Sequence, residues 1–263
     1  MAISAGPIFK INSSISFFLN FDPSKDEAAL ENLQKTWDSL SDGGKVLMPL
    51  QEYPFSKKYG WVEDRYGVSW QVILTDPNGD ERPFIVPCLL FTGDVTNKAE
   101  EAEKFYQSVF SAKGGSTSGG KDGSASSSEQ VKQGTVARYT EDTGPAKKGS
   151  LMYSDFMILN TWLAAMDSGV EMDMPFTEAV SLLIPCDTQE EIDYYFEKLS
   201  AVPESEQCGW VKDRFGVSWQ VHASKLDDMF ANGTREQIDR VTQCFLQMKK
   251  LDIAEIEKAF EDK

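Results

Sequence analysis

A fourteen-residue phrase that occurs twice constrains the fold of this 263-residue chain more than any other feature. Residues 59–72 read YGWVEDRYGVSWQV and residues 208–221 read CGWVKDRFGVSWQV, with eleven identical positions at an offset of 149. Upstream, residues 14–22 correspond to residues 179–187 at an offset of 165. Such self-similarity indicates repeated structural units. The first copy carries 16 additional residues around GGKVLMPLQEYPF, which predict an added strand or a long hairpin arm.

Hydrophobic period and turn residues predict that each copy is a βαβββ unit. The first unit is predicted as strand 14–21, helix 24–40 with Ser24 as its N-cap, and strands 45–51, 59–64 and 67–74. The last unit is predicted as strand 179–186, helix 188–199, and strands 209–213 and 216–223.

A middle unit lies between these copies. It is predicted as strand 84–92, helix 97–110, and strands near 134–140, 150–158 and 161–167. Residues 113–128, which are mostly Gly and Ser, predict a flexible insertion rather than a phosphate-binding loop, because no P-loop ending follows. Residues 225–261 predict a helical tail with Thr234 as one cap and Asp227 or Asp228 as another.

Charge and composition limit the partners and the compartment. The chain has 26 Lys and Arg against 42 Asp and Glu, a formal charge of −16, which argues against nucleic acid and anionic membranes as partners. We find no apolar run of about 18 residues and no secretory signal. The four cysteines are scattered without a CxxC pair, so reduced thiols in the cytoplasm are expected.

Several phrases together resemble the PhnB-like family of the vicinal oxygen chelate (glyoxalase/bleomycin-resistance/dioxygenase) superfamily. They are the closing W-[VL]-x-D-x-x-G-V-S-W-Q-[VIL] hairpin, PCLLFTG, AEEAEKFYQSVF, GSLMYSDFMI and PFTEAVSLLIPCDTQEEIDYYFEKLS. The resemblance covers nearly all of the chain outside the Gly/Ser insertion. It implies an α+β fold in which two βαβββ units pair into one cupped mixed sheet, with a ligand bound inside the cup.

The resemblance also implies a domain division. Residues 81–225 are expected to form a complete module, residues 1–80 an incomplete one, and residues 226–263 a helical tail. Met1–Gly6 align with Ala164–Gly169, the last strand of a half-module, so the chain resembles a tandem protein that lacks its first unit. A homodimer formed through the incomplete first module is therefore a possible partner arrangement.

Strand alternation selects the candidate site residues. Val217, Trp219 and Val221 share one face, which is expected under the helix. The other face is expected to line the cup and to bind ligand; it carries Ser218, Gln220 and His222 in one copy, and Ser69, Gln71 and Ile73 in the other.

The resemblance places Gln220 and Gln71 where superfamily enzymes carry a glutamate that binds a divalent metal. A neutral amide is a weaker ligand than a carboxylate. The usual first-strand histidine is also missing, since those places hold Ser13 or Ser14, Val86, and Glu178 or Ala179. We therefore expect no metal and no other cofactor. The alternative is that Gln71 and Gln220 are strand amides that fix the sheet, and that His222 is a rim residue.

The sequence thus predicts a cytoplasmic protein that binds a small organic molecule, without a metal and without an assigned catalytic residue. One alternative is a metal-assisted isomerase, lyase or dioxygenase. Another is a structural protein that assembles through its unpaired unit. The family often carries a demethylubiquinone methyltransferase label, but an S-adenosylmethionine site of the usual kind needs a Gly-rich turn on a doubly wound sheet, which this sequence lacks.

Overall fold

The computed structural model describes residues 8–111 and 131–262, and these residues form two compact units. Unit 1 consists of described residues 8–111 and 131–175, and unit 2 consists of residues 176–262. The predicted Gly/Ser insertion at 113–128 and the segment Met1–Gly6 lie outside the described residues. Within the described part of the chain, no helix is both long and apolar enough to cross a bilayer.

Unit 1 contains two successive βαβββ units. The first consists of β1 (Ile15–Phe21), α1 (Ala29–Ser41), β2 (Lys45–Tyr53), β3 (Ser56–Glu63) and β4 (Ser69–Leu74). The second consists of β5 (Ile85–Phe91), α2 (Ala99–Ser111), β6 (Val131–Arg138), β7 (Leu151–Ile158) and β8 (Thr161–Asp167).

The start of α1 differs from its prediction. The hydroxyl of Ser24 donates to Asp22 in the turn that precedes the helix, so Ser24 does not cap it and α1 begins five residues later, at Ala29. The 16 additional residues form the predicted arm, because β2 pairs antiparallel with β3.

One mixed sheet joins the two halves of unit 1, in the strand order β2-β3-β4-β1-β5-β8-β7-β6. Strand β1 pairs parallel with β4 and antiparallel with β5, and β5 pairs parallel with β8. The predicted α+β class with a mixed sheet of paired βαβββ units is confirmed.

The expected pairing of the units is corrected. The first unit pairs with the middle unit, whereas residues 81–225 do not form one sheet in the described structure. The first strands of all three units are short, mainly apolar runs, so the local pattern identifies each unit without selecting its partner. Because β1 is paired on both sides, the predicted dimer through an incomplete first module loses its premise.

Both helices of unit 1 cover the same face of this sheet. Leu33 and Trp37 of α1 pack against Leu19, Val62 and Val72. On the other half, the first turn of α2 is held where the backbone N–H of Ala99 donates to the Asp167 carboxylate on β8. We call the opposite face, which carries Phe18 and Trp162, the cup face.

Unit 2 contains the last repeat and the tail. Its elements are β9 (Leu182–Cys186), α3 (Gln189–Leu199), β10 (Trp210–Lys212), β11 (Ser218–Ala223), α4 (Lys225–Asn232), α5 (Arg235–Phe245) and α6 (Ile253–Glu261). The strands form a three-stranded sheet in the order β10-β11-β9. Thr234 caps α5 as predicted, in a capping box with Gln237. Asp227 lies within α4 rather than at its cap.

The tail of unit 2 takes the place of the arm that this repeat lacks. The backbone N–H groups of Cys208 and Gly209 donate to the carbonyls of Met248 and Lys249, at 2.8 and 2.7 Å. In unit 1 the equivalent residues, Tyr59 and Gly60, belong to β3, whose outer edge is paired with β2. The tail therefore protects a sheet edge that would otherwise be open.

Candidate functional site

The cup face of unit 1 is an apolar surface built by both halves of the sheet. Its buried members are Phe18, Tyr59, Val86, Cys88, Trp162 and Ala164. Partly buried side chains pack around them: Met48, Tyr53, Trp61, Ile73, Tyr153, Met157 and Met166. Aromatic rings and methionines of this kind adapt to ligands of varied shape.

A polar network crosses the first half of this face. The Gln71 amide, which is fully buried, donates through Nε2 to Ser16 Oγ at 2.8 Å and accepts from the Tyr59 hydroxyl at 2.5 Å. The thiol of Cys88 lies beside Ser16 and Gln71, and burial raises its pKa to about 12. Burial also raises the pKa of Tyr59. These groups are neutral at physiological pH, so this half of the cup offers hydrogen bonds without charge.

An ion pair crosses the other half, on strands β7 and β8. Arg82, from the segment that joins β4 to β5, donates through Nε and Nη2 to the Asp155 carboxylate at 2.7 and 3.2 Å. The Arg82 guanidinium also lies 3.8 Å from the centroid of the Trp162 ring. Asp155 further accepts from the backbone N–H of Thr135 and from the Tyr153 hydroxyl. Both charged side chains are less than one-tenth exposed.

Sequence reasoning missed this ion pair. The signal for Asp155 was available, since a carboxylate in the apolar strand LMYSDFMI requires a partner. Arg82 gave no such signal, because it stands in the polar segment between two strands, where an arginine is ordinarily solvated.

The candidate residues of the first copy lie on the cup face, as alternation predicts, but their polar atoms are already engaged. Ser69 Oγ accepts a hydrogen bond of 2.7 Å from Trp61 Nε1. Gln71 is bound as described above. The interpretation of Gln71 as a satisfied strand amide therefore fits its geometry.

The candidate residues of the second copy lie in unit 2. Trp219 is 2% exposed and lies on the other face of β11, in accord with the predicted alternation. Gln220 donates to Ser181 Oγ at 2.7 Å, and His222 Nε2 lies 2.9 Å from the exposed carboxylate of Asp227. Ser218 Oγ is buried and has no hydrogen-bond partner in the described structure. The structure thus places the two sets of candidates in different units.

The repeated phrase itself forms a local latch in both copies. The carboxylate of Asp64 accepts from the backbone N–H groups of Tyr66 and Val68 and from Trp70 Nε1. Asp213 makes the same three bonds one repeat later, and its acceptance from Trp219 Nε1 is 2.9 Å long, as in the first copy. We call this arrangement the Asp–Trp latch. The D-x-x-G-V-S-W phrase is therefore repeated because it closes the hairpin turn, and a catalytic role is not needed to explain it.

The residues at the expected metal positions do not fit a divalent cation. Gln71 has both amide atoms occupied by neutral hydroxyls, and Gln220 donates to a serine. Glu178, one of the residues aligned with the first-strand histidine, lies in a turn before β9 and forms an ion pair with Lys212. No three His, Cys, Asp or Glu side chains of the described ranges come together as a ligand group.

Comparison with known proteins identifies one family. The model of the family described as 3-demethylubiquinone-9 3-methyltransferase matches residues 1–73 and 83–222, which is most of the chain. The unmatched residues 74–82 separate the two stretches, and they cover most of the segment between β4 and β5, where one repeated unit ends and the next begins.

Solved structures similar to this chain include a bacterial and a plant protein. A PhnB protein from Bacillus cereus is 33% identical over 52% of this chain and 95% of its own length, with a TM-score of 0.38. Glyoxalase I from Zea mays is 13% identical over 85% of this chain and 73% of its own, with a TM-score of 0.44. No protein with a curated description matches the chain.

Proposed function

The chain belongs to the 3-demethylubiquinone-9 3-methyltransferase family of PhnB-like proteins, and from this premise we propose that it binds a small organic molecule on the cup face of unit 1. The observation that carries the proposal is the apolar lining shared by both halves of the sheet, with one polar network in each half. Ligand sites commonly combine an apolar wall with a few fixed polar groups.

The proposed ligand is mainly apolar and contains an aromatic or conjugated part. Trp61, Tyr53 and Met157 are only partly buried on this face, so they offer ring and thioether surface to such a molecule. Charge is already compensated in the cup, because Arg82 and Asp155 satisfy each other. The ligand is therefore expected to be bound by apolar contact rather than by a counter-charge.

We propose a binding role that requires no metal and takes place in the cytoplasm. The amides at the metal positions are engaged with hydroxyl groups, as described above, and all four cysteines are free. Free thiols are typical of a reducing compartment. Methyl transfer, which the family name mentions, is not part of this proposal. Sites for S-adenosylmethionine are usually built on a doubly wound sheet, and the sheet of unit 1 is a mixed sheet of βαβββ units.

A matched pair of substitutions on β7 tests the proposed site. Met157 faces the cup, whereas Met152 lies five residues away on the opposite face of the same strand and is 46% exposed. The neutral dye Nile red serves as the probe for an apolar cup. Met157→Lys is expected to weaken dye binding at least tenfold, because a buried ammonium is costly in an apolar site, and Met152→Lys is expected to leave it unchanged.

Fluorescence titration with both variants, checked for folding by circular dichroism, decides the matter. Equal weakening by the two substitutions would show that the dye responds to general destabilisation. Unchanged binding in a folded Met157→Lys variant would place the apolar site elsewhere.

A further inference from the structure

Strand β9 lies at the edge of the three-stranded sheet, and within the described ranges no other strand pairs with its outer side. The carbonyl of Cys186 accepts from the backbone N–H of Ser224 at 2.9 Å, so Cys186 directs its backbone groups toward β11. Backbone groups alternate in direction along a strand. Ser181, Leu183 and Pro185 therefore direct theirs toward the open edge.

Three equivalent hydrogen bonds align the first strands of the three units. In each unit, the last residue of the first strand accepts a hydrogen bond through its backbone carbonyl. The donors are the backbone N–H groups of Thr75 to Phe21, of Ser168 to Phe91 and of Ser224 to Cys186. The residue four positions before each acceptor therefore has the same place in its unit. These equivalent residues are Phe17 of β1, Pro87 of β5 and Leu182 of β9.

The pairing of β1 with β5 is an antiparallel contact between two equivalent strands. Its register places Phe17 opposite Pro87, so the two equivalent residues form the central pair of the contact. The contact therefore has an internal two-fold symmetry. The same contact between two identical strands would make a symmetric dimer with a closed, isologous interface.

We propose that β9 pairs antiparallel with β9 of a second copy of this chain, centred on Leu182. This pairing would join two three-stranded sheets into one six-stranded sheet and complete the cup face of unit 2 with side chains from both copies. The contact reuses a register that the chain itself forms in unit 1.

The cup face of unit 2 shows what the second copy would cover. The bond from Gln220 to Ser181 repeats the bond from Gln71 to Ser16, yet Gln71 is fully buried and Gln220 is only half-buried. In unit 1 the paired strand places Cys88 opposite Ser16. The residue equivalent to Cys88 is Leu183, which is 40% exposed and would lie opposite Ser181 of the second copy.

Pro185 limits the strength of this pairing. The equivalent residues in unit 1, Asn20 and Leu90, donate their backbone N–H groups across the β1–β5 contact to Phe84 and Ser14, both at 2.8 Å. Proline has no N–H, so the outermost bond at each end of the β9 pair is absent, while those of Ser181 and Leu183 remain possible. Proline at a sheet edge is a common restraint on edge pairing. The dimer is therefore expected to be reversible.

A disulfide tests the register. In the full chain with Cys208→Ser and Cys244→Ser, the substitution Leu182→Cys should give an intermolecular disulfide under mild oxidation. At a central pair without direct hydrogen bonds, the Cα atoms lie about 4.5 Å apart, within disulfide range. Leu183→Cys is the matched control and should not cross-link, because its opposite residue is Ser181. A folded Leu182→Cys variant that stays reduced and monomeric, or equal cross-linking of both variants, would overturn the proposal.

Two proline substitutions with opposite expected effects test the pairing without cysteines. Pro185→Ala restores one donor in each copy and should tighten the dimer roughly tenfold, whereas Leu183→Pro removes one and should weaken it by a similar factor. Both positions face away from β11, so circular dichroism should show the fold unchanged. Light scattering over a concentration series measures the constants. Either a monomer for wild type and Pro185→Ala at all concentrations, or a dimer indifferent to both substitutions, would contradict the proposed contact.

Discussion

The two copies of the repeated hairpin have the same internal bonds but different surroundings. In both, the Asp–Trp latch closes the turn and a strand glutamine donates to a serine at or next to the first strand of the unit. In unit 1 the hairpin lies inside an eight-stranded sheet, whereas in unit 2 it belongs to a sheet of three strands. The comparison teaches that the local sequence sets the bonds, and that the neighbouring strands set the burial.

The outer edge of each hairpin is protected by a different device. Unit 1 uses the β2 arm, and unit 2 uses two carbonyls of the tail. An arm within the unit keeps the contact local in sequence. The tail makes the last repeat dependent on residues about forty positions later, so unit 2 is expected to be sensitive to changes in its C-terminal helices.

The largest expected effect concerns the ion pair of unit 1, whose two side chains are at most 9% exposed, whereas those of the Lys212–Glu178 pair in unit 2 are 22% and 24% exposed. Arg82→Ala leaves the buried Asp155 carboxylate without its cation, which should cost about 4 kcal/mol in the free energy of unfolding of unit 1. Native-state hydrogen exchange, which resolves each unit, measures it.

The double substitution Arg82→Met with Asp155→Leu is the control for that loss. It removes both charges together, so much of the stability should return. Equal destabilisation by the single and double variants would show that packing, rather than the unpaired charge, accounts for the loss.

The next largest expected effect is the loss of stability when the aspartate of either Asp–Trp latch is replaced, and this loss is expected to differ between the two copies. Asp213 is 1% exposed and Asp64 is only half-buried, although each accepts three hydrogen bonds. Asp213→Ala should cost about 3 kcal/mol and Asp64→Ala about 1.5 kcal/mol, since losing the carboxylate acceptor is more costly where water cannot replace it. The exchange rates of the amides in β11 and β4 report the two losses. A larger cost at Asp64 would invert the comparison.

Substitution of the two glutamines is expected to cost less than substitution of the two latch aspartates. Gln71→Leu leaves the buried hydroxyls of Ser16 and Tyr59 without a partner and should cost about 2 kcal/mol, whereas Gln220→Leu should cost about 0.5 kcal/mol in the monomer. Urea unfolding of the two variants under dilute conditions measures the difference. Equal costs would mean that Gln220 is as well covered as Gln71.

The last effect, smaller than the one expected at Gln71, concerns the tail that replaces the arm. Thr234→Ala removes the N-cap of α5 and should cost about 1 kcal/mol, expressed as faster exchange of the Cys208 and Gly209 amides held by the tail. Thr234→Ser keeps the capping oxygen and serves as the control. If both variants exchange alike at these amides, the helix and the edge contact are independent.

Much of the fold was predictable because the repeat carries it. Alternation in VSWQVH placed Trp219 under the helix and Gln220 on the other face, and the extra residues near GGKVLMPLQEYPF became the β2 arm. Capping at Thr234 was also predicted correctly. By contrast, the start of α1 was misplaced, because the Ser24 hydroxyl bonds to Asp22 instead of to the helix.

The candidate site was predictable only in part. Alternation placed Ser69 and Gln71 on the cup face, but it could not reveal that Trp61 and Tyr59 engage them. The contact of Arg82 with Asp155 joins residues 73 positions apart. A local sequence pattern cannot predict a contact between residues so far apart in the chain, because the contact depends on the path of the segment after β4 over the sheet.

By itself, the sequence determined the repeated unit, its strand and helix order, the faces of its strands and the latch that closes each hairpin, because all of these depend on residues close together in the chain. Only the tertiary structure decided which units share a sheet. The edges of β1, β5 and β9 have similar backbone groups and similar apolar faces, so their pairing depends on chain connection and on the packing of whole units. As a result of this pairing, Gln71 is buried within the eight-stranded sheet, whereas β9 lies at the edge of the three-stranded sheet.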